Sequence, residues 1–305
     1  MNNPPFFSVV IPTYNREDII KNAIDSVLNQ TYDNFEIIVI DNGSTDNTRQ
    51  SIESYSKNKI KYFYQTGSGS PASPRNAGIR SSSAPWVCFL DSDDYWLPNK
   101  LEFLKKTIEE NSKLDVIYHY EIMINQSNGK KSLLSQSRAL ENVYQDMLEN
   151  GNKLSTSATS IRRSFLKSHQ LFFNENHDFD IVEDYDLWLR VANKKANFYL
   201  LKEVLGVYVV NGNNLISDWN LYLRNLQNLY HKHIYEIQDY EKNTGKLWKL
   251  KLIEIDLLKM GYYFRSNQYI LLFILCLKTI FNNPFYFYLV LFKKFIKKKF
   301  KGSIL

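Results

Sequence analysis

The chain has only two cysteines in 305 residues, Cys88 and Cys276, and both lie in apolar segments without metal-ligand spacing. That argues against a disulfide-built scaffold or a cysteine metal centre, and a reducing compartment is the expected setting. Acidic residues are missing from 285–305, a segment that carries Lys293, Lys294, Lys297, Lys298, Lys299 and Lys301. Those lysines account for the formal net charge of +6, and the first 284 residues are near neutral. A nucleic-acid binder carries its basic surface on the folded body, so no nucleic-acid partner is expected. A long uncharged apolar run is missing too. Lys278 and the Asn282-Asn283-Pro284 break leave uninterrupted stretches of nine and eight residues near the C-terminus. A spanning helix needs about 20 residues, so no simple span is expected. The opening MNNPPFFSVVIPTYN lacks a basic n-region and a long apolar h-region. No secretory leader is read there, and the cytoplasm is the expected location. No G-x-x-x-x-G-K-[ST] occurs and no G-x-G-x-x-G follows the first apolar run, which removes the phosphate-loop and dinucleotide readings.

Hydrophobic residues make up 44% of the chain and aromatics 15%, enough for a sizeable core. Residues 6–11 (FFSVVI) read as a buried strand stopped by Pro12. Residues 18–29 carry Ile19, Ile20, Ala23, Ile24, Val27 and Leu28 at helical spacing. A strand over 35–40, a helix over 48–55, a strand over IKYFYQ, a short helix around 76–80 and a strand over WVCFL follow. This alternation predicts a mostly parallel α/β sheet flanked by helices, with ligands bound beyond the carboxyl ends of the strands. PTYNRE, DNGSTDNT and DSDD follow three of these strands, so three polar loops converge at that edge. Farther on, a helix over 101–109, a strand over DVIYHYEIMI, a hairpin at Asn128-Gly129 and a helix within IVEDYDLWLRVAN are read.

The stretch FLDSDDYWLP sets Asp91, Asp93 and Asp94 within four positions. One carboxylate there suffices to cap a helix start, and Asp94 suits that task. Asp91 and Asp93 are left over, and a divalent cation shared with substrate phosphates would neutralise them.

VVIPTYNRE, QTYDNFEIIVIDNGSTDNT, SPRNAGI, FLDSDDYWLPNKLE and VEDYDLWLRV occur in this order over about residues 6–217. Together they resemble the inverting family-2 glycosyltransferases of GT-A fold. The resemblance implies a UDP-sugar donor, an Mn²⁺ or Mg²⁺ cofactor and single transfer of a hexose to a glycan hydroxyl. It implies that Pro12, Tyr14 and Arg16 shape the nucleoside pocket and that Asp41 accepts from the base. It further implies Arg75 beside the nucleotide, Asp91 toward the ribose or a metal-bound water, and Asp93 on the metal. Asp184 is implied as the general base, adjoined by Glu183, with Trp188 and Arg190 supporting its helix. The sequence departs from the family pattern in YVVNGNNLIS. There Val209 stands where arginine is common, and Asn211 where a histidine is common; asparagine offers only a neutral oxygen, which counts against a third protein ligand.

The expected organisation is a GT-A catalytic domain over 1–220, with a nucleotide-binding half (6–100) and an acceptor half (101–220). A helical extension (221–267) and membrane-associating helices (268–305) complete it. In residues 292–301 Phe292, Phe295, Ile296 and Phe300 fall on one helical face and Lys293, Lys294, Lys297, Lys298 and Lys301 on the other, the pattern of an interfacial helix with affinity for anionic lipid. The expectation is a cytoplasmic enzyme, peripheral at the inner face of the cell membrane, acting on a glycan or lipid-linked glycan acceptor. Two other readings compete. One is a non-catalytic GT-A-fold protein that binds a sugar nucleotide or glycan. The other is a sugar nucleotidyltransferase, which should carry a glycine-rich start that IPTYNRE lacks.

Overall fold

The computed structural model describes residues 4–291 apart from 56–57, 135–141, 212–217, 283, 286 and 289. The chain divides into two compact units, Met1–Ser217 and Asp218–Leu305. In the first, strands and helices alternate through β1 (Phe7–Thr13), α1 (Ile20–Leu28), β2 (Phe35–Asp41), α2 (Thr48–Glu53), β3 (Ile60–Tyr64), α3 (Ala72–Ser81) and β4 (Trp86–Phe89). Then come β5 (Tyr95–Trp96), α4 (Lys100–Glu110), β6 (Val116–Asn125), β7 (Lys131–Leu134), α5 (Val143–Asn150), β8 (Ser160–Arg162), α6 (Arg163–Ser168), α7 (Glu183–Asn193) and β9 (Phe198–Val210). The described strands form one sheet in the order β3-β2-β1-β4-β8-β6-β9-β5, with β7 paired to β6. β3, β2, β1 and β4 are mutually parallel, as are β6 and β9. β8, β7 and β5 run antiparallel to their neighbours.

Every residue of β1 and β2 is buried, as expected for central strands covered on both faces. The odd residues Phe7, Val9 and Ile11 join a core with Ile20, Ala23, Ile24 and Val27 of α1 and with Leu101 and Leu104 of α4. The α1 positions are spaced i, i+3, i+4, i+7, and each fully buried aliphatic side chain contributes about 1.5–3 kcal/mol. The even side of β1 meets α3 at Gly78, where a β-carbon would overlap the Val10 side chain.

Pro12 does not stop β1, which runs on to Thr13 opposite Asp41 of β2. The carbonyl of Val10 accepts from Leu90 beyond β4, and that of Thr13 accepts from Asn42 beyond β2. Backbone groups alternate sides along a strand, so the N–H that Pro12 lacks would have pointed toward the chain of β4. β4 has already ended at Phe89, level with Val10, so the proline ends one ladder and leaves the other intact. This register sets the loops after β1, β2 and β4 side by side.

The second unit contains α8 (Trp219–Lys232), α9 (Thr244–Arg265) and α10 (Tyr269–Asn282). Leu272, Leu275, Cys276 and Ile280 of α10 pack on Ile253, Leu257 and Met260 of α9. The Thr279 hydroxyl donates to Asp256 across the same seam at 2.9 Å. The other face of α10 is open, with Ile270 and Phe281 each 78% exposed and Phe273 64%. Among the described residues no helix is long and apolar enough to cross a membrane. The lysine-bearing helix expected over 292–301 lies outside the described residues.

Candidate active site

The loops after β1 and β2 are fastened to each other by the side chains that made them look merely polar. The Asn15 N–H donates to Ser44 Oγ at 2.9 Å, and Asn15 Oδ1 accepts from the Thr45 N–H at 2.8 Å. The Arg16 N–H donates to Thr48 Oγ1 at 2.8 Å, and Glu17 accepts from the Asn47 N–H at 2.7 Å. Gly43 makes the turn possible. Its φ of +90° is left-handed, and a β-carbon would stand 2.7 Å from the Gly67 nitrogen. Asp41 is 1% exposed and accepts from the Ser44 N–H and the Tyr62 hydroxyl, each at 2.8 Å.

The DSDD loop is held from behind by one residue. Ser157 Oγ accepts from the Asp91 N–H at 3.1 Å and donates to Asp94 Oδ2 at 2.5 Å. The Ser157 carbonyl accepts from Trp96 Nε1 at 3.0 Å and from Lys100 Nζ at 2.8 Å. The other Asp94 oxygen accepts from the Val209 N–H at 2.8 Å. Asp94 is therefore a buried tie and not a helix cap: β5 follows it, and α4 begins only at Lys100, after Asn99, with no side-chain cap. Lys100 is fully buried with its ammonium 3.6 Å from the Trp96 ring centre. Burial pushes it down to about 7 and pushes the enclosed Glu121 carboxyl up to about 7.

Arg75 links the two sides of the site. Its guanidinium donates to Asp91 Oδ1 and to Glu183 Oε1, both at 2.7 Å, with Arg75 side-chain exposure of 5% and Glu183 of 4%. Glu183 and Asp184 open α7, where the helix dipole favours acids. Burial raises Glu183 to about 7, against the pull of Arg75 and with a further push from Asp184. Burial raises Asp184 also, with Arg75, the Tyr185 N–H and the Thr156 hydroxyl holding it down. Thr156 Oγ1 donates to Asp184 Oδ2 at 3.2 Å. Just before α7, Ile181 sits at φ 72°. That conformation is unfavourable for a β-branched residue and costs on the order of 1–3 kcal/mol.

These groups surround a cleft of about 860 Å³. Pro12, Tyr14, Arg16, Arg75, Asp91, Asp93, Glu183 and Asp184 all line it. Asp41 does not; its neighbour Asn42 does. Trp188 and Arg190 stand behind the wall. Trp188 packs edge-on against Phe173 and tilted against Phe89, with centroids 6.0 and 6.1 Å away. Arg190 bridges Asp186 and the Phe172 carbonyl, each at 2.7 Å. Asn211 is not part of the cleft lining, but its side chain hydrogen-bonds to Asp93. Asp93 also lies 3.6 Å from Arg16. Burial and the adjacent Asp91 raise its carboxyl, and Arg16 and Asn211 oppose that rise. Sequence reasoning missed Thr156, Ser157 and Lys100. STSATS has no periodicity, and nothing local marks its hydroxyls as ties to two acidic loops.

Among the described residues no three His, Cys, Asp or Glu side chains converge as a self-sufficient metal cage. The oxygens on hand are those of Asp91 and Asp93, 28% and 20% exposed in the cleft wall, with the Asn211 amide beside Asp93. This set fits Mg²⁺ or Mn²⁺ bound partly through substrate phosphates, which need only one or two protein carboxylates.

A sequence profile described as Glycosyl transferase family 2 matches residues 8–169. The chain belongs to that family. An uncharacterized glycosyltransferase of Rickettsia bellii is 32% identical over 252 residues, 82% of this chain and 34% of the relative. The chain thus spans about a third of that protein's length. The Escherichia coli UDP-Glc:alpha-D-GlcNAc-diphosphoundecaprenol beta-1,3-glucosyltransferase WfgD is 33% identical over 184 residues, 60% of this chain and 68% of WfgD. The crystal structure of S. aureus TarS 1-349 with UDP-GlcNAc superposes with a TM-score of 0.63 at 24% identity, covering 81% of this chain and 71% of that one. The fold is accordingly of GT-A type, with a mostly parallel sheet flanked by helices.

Proposed function

We propose that this family-2 protein transfers one hexose, with inversion, from a UDP-sugar to a hydroxyl of a glycan acceptor carried on a lipid. The observation that carries the proposal is the meeting of the DSDD loop and the Glu183-Asp184 pair in one cleft through Arg75. A UDP-sugar is favoured by the donor named for WfgD and by the ligand of TarS, and a polyprenyl-linked acceptor by the WfgD name.

In this mechanism Tyr14, 55% exposed at the cleft, lies against the base, and Pro12 and Arg16 shape the pocket edge. Asp41, buried just behind the lining at Asn42, fixes the base end of the pocket through its bonds to Ser44 and Tyr62 rather than meeting the base itself. Asp93 and Asp91 would hold the divalent cation, with Asn211 beside them, and that cation would offset charge on the departing diphosphate. Arg75 keeps Asp91 and Glu183 in register. Asp184 takes the proton of the attacking hydroxyl. Burial makes its carboxylate a stronger base than an exposed aspartate, and such a base contributes about 10²–10⁴-fold in rate. Leu154 and Val209, both buried, give the cleft an apolar section of lining.

The acceptor's lipid points to the membrane surface. The exposed apolar face of α10 and, in the sequence, the six lysines of 293–301 each suit anionic lipid. The enzyme would work peripherally at the cytoplasmic face.

The deciding assay is UDP release from a panel of UDP-sugars with Mn²⁺, Mg²⁺ or chelator. Asp184→Asn should abolish turnover while nucleotide binding persists, and Asp41→Ala should weaken that binding. Full activity in Asp93→Ala would remove the metal role. Sugar-nucleotide binding with no turnover on any acceptor would favour the non-catalytic reading that Val209 and Asn211 suggest. Deleting 285–305 should move the protein from the pellet to the supernatant in sedimentation with anionic liposomes, and unchanged partitioning would refute the anchor.

A further inference from the structure

The charges in the cleft are unevenly distributed. Asp91, Asp93, Glu183 and Asp184 line it, and among the described residues the lining cations are Arg16 and Arg75. Both guanidiniums are already engaged, Arg16 with Asp93 at 3.6 Å and Arg75 with Asp91 and Glu183 at 2.7 Å. The same cleft also has an apolar section of lining. Met123 of β6 is the register partner of Tyr208 of β9. Leu134 of β7 pairs with Glu121, two residues before Met123, so these side chains share one face of the sheet. Leu154 extends the wall, and Asn152, Ser155 and Thr156 add neutral hydrogen-bonding groups along the same lining.

A sugar ring has apolar C–H faces and a polar rim of hydroxyls. A wall of Met, Leu and Tyr beside neutral amides and hydroxyls matches that division. A carboxylate on the same ring would stand near Glu183 and Asp184, in a partly desolvated space where the lining cations among the described residues are both engaged, and would be opposed by like charge. We propose, building on the transferase reading, that the acceptor sugar is uncharged around its reacting hydroxyl and lays an apolar ring face on Met123, Leu134, Leu154 and Tyr208. A uronic acid at that position is disfavoured by charge.

The test uses the full chain, a UDP-sugar that it consumes, and three synthetic lipid-diphosphate glycosides. They differ only at C6 of the terminal sugar, which is hydroxymethyl, carboxylate or carboxamide. Their diphosphates are identical, so that charge cancels in the ratios. The hydroxymethyl acceptor should have a kcat/KM at least tenfold above the carboxylate, and the neutral carboxamide should recover most of the difference. Calorimetry on the UDP-loaded enzyme should give the same order for binding, which keeps the result readable where the linkage position prevents turnover. Met123→Lys should narrow the gap between hydroxymethyl and carboxylate. Equal use and binding of the two, or a preference for the carboxylate, overturns the proposal. Failure of the transferase reading is a separate result: no UDP is released from any UDP-sugar.

Discussion

Replacing Arg75 by methionine probes the link between the two sides of the cleft. The guanidinium is nearly fully buried and makes two 2.7 Å contacts with carboxylates. At an effective dielectric of about 20, opposite charges about 4 Å apart attract by about 4 kcal/mol. Two such contacts give about 8 kcal/mol before desolvation, and desolvation of the three groups offsets much of it. The net effect of removing one partner of a buried ion pair is about 3–5 kcal/mol, because the remaining charge is left unpaired. Arg75→Met should therefore lower the urea-unfolding free energy by about that amount. Glu183→Gln removes the stranded charge. The double variant Arg75→Met/Glu183→Gln should be more stable than the sum of the singles predicts by on the order of 2 kcal/mol. Turnover should fall in Arg75→Lys as well, since a compact ammonium on a different stem does not reproduce the spacing of the planar guanidinium nitrogens that meet Glu183 and Asp91 separately. A loss below about 1 kcal/mol in Arg75→Met, with additive singles, would show that the bridge is not energetically real and would sink the mechanism built on it.

Three further outcomes follow from the geometry. Thr156→Val deletes a hydrogen bond that favours the charged form of Asp184, so the acidic limb of the kcat–pH profile should move to higher pH; an unmoved limb would deny Asp184 the role of base. Gly78→Ala should destabilise the protein by about 1–3 kcal/mol, read by urea melting, because the new methyl overlaps Val10. Glu36, despite burial, is drawn from its ordinary 4.5 to about 2 by Lys61, Ser8 and Ser83. Its stabilisation should be fully present above about pH 4.5 and lost as pH falls toward 2, and Glu36→Gln should flatten that part of the stability–pH curve.

The sequence showed the left half of the sheet clearly and the site unevenly. β1, β2 and β4 are apolar runs ended by polar loops, and α1 has a clean helical period, so short-range pattern was enough. Pro12 misled because its effect depends on which neighbour its missing N–H would face, and that is a property of the sheet. β5 and β8 span two and three residues, too few for a periodic signal. The carboxylates of DSDD stood out, but their division of labour did not. Asp94 is a tie only because Ser157, 63 residues later, and the Val209 N–H, 115 residues later, arrive beside it. Asp41 was legible as an acceptor. That Tyr62 and Ser44 already occupy it, and that Asn42 is the residue facing the cleft, follows from the pairing of β2 with β3 and from the turn after β2.

Thr156 and Ser157 are chain neighbours whose side chains serve opposite walls, Asp184 on one and Asp91 with Asp94 on the other. Their shared peptide makes the two walls one mechanical part. Chimeras that exchange the acceptor half with a relative must therefore carry 155–157 together with the DSDD loop and the start of α7. A splice between them would inherit a donor side and an acceptor side cut to different rulers, with each half folded well and the distance between them wrong.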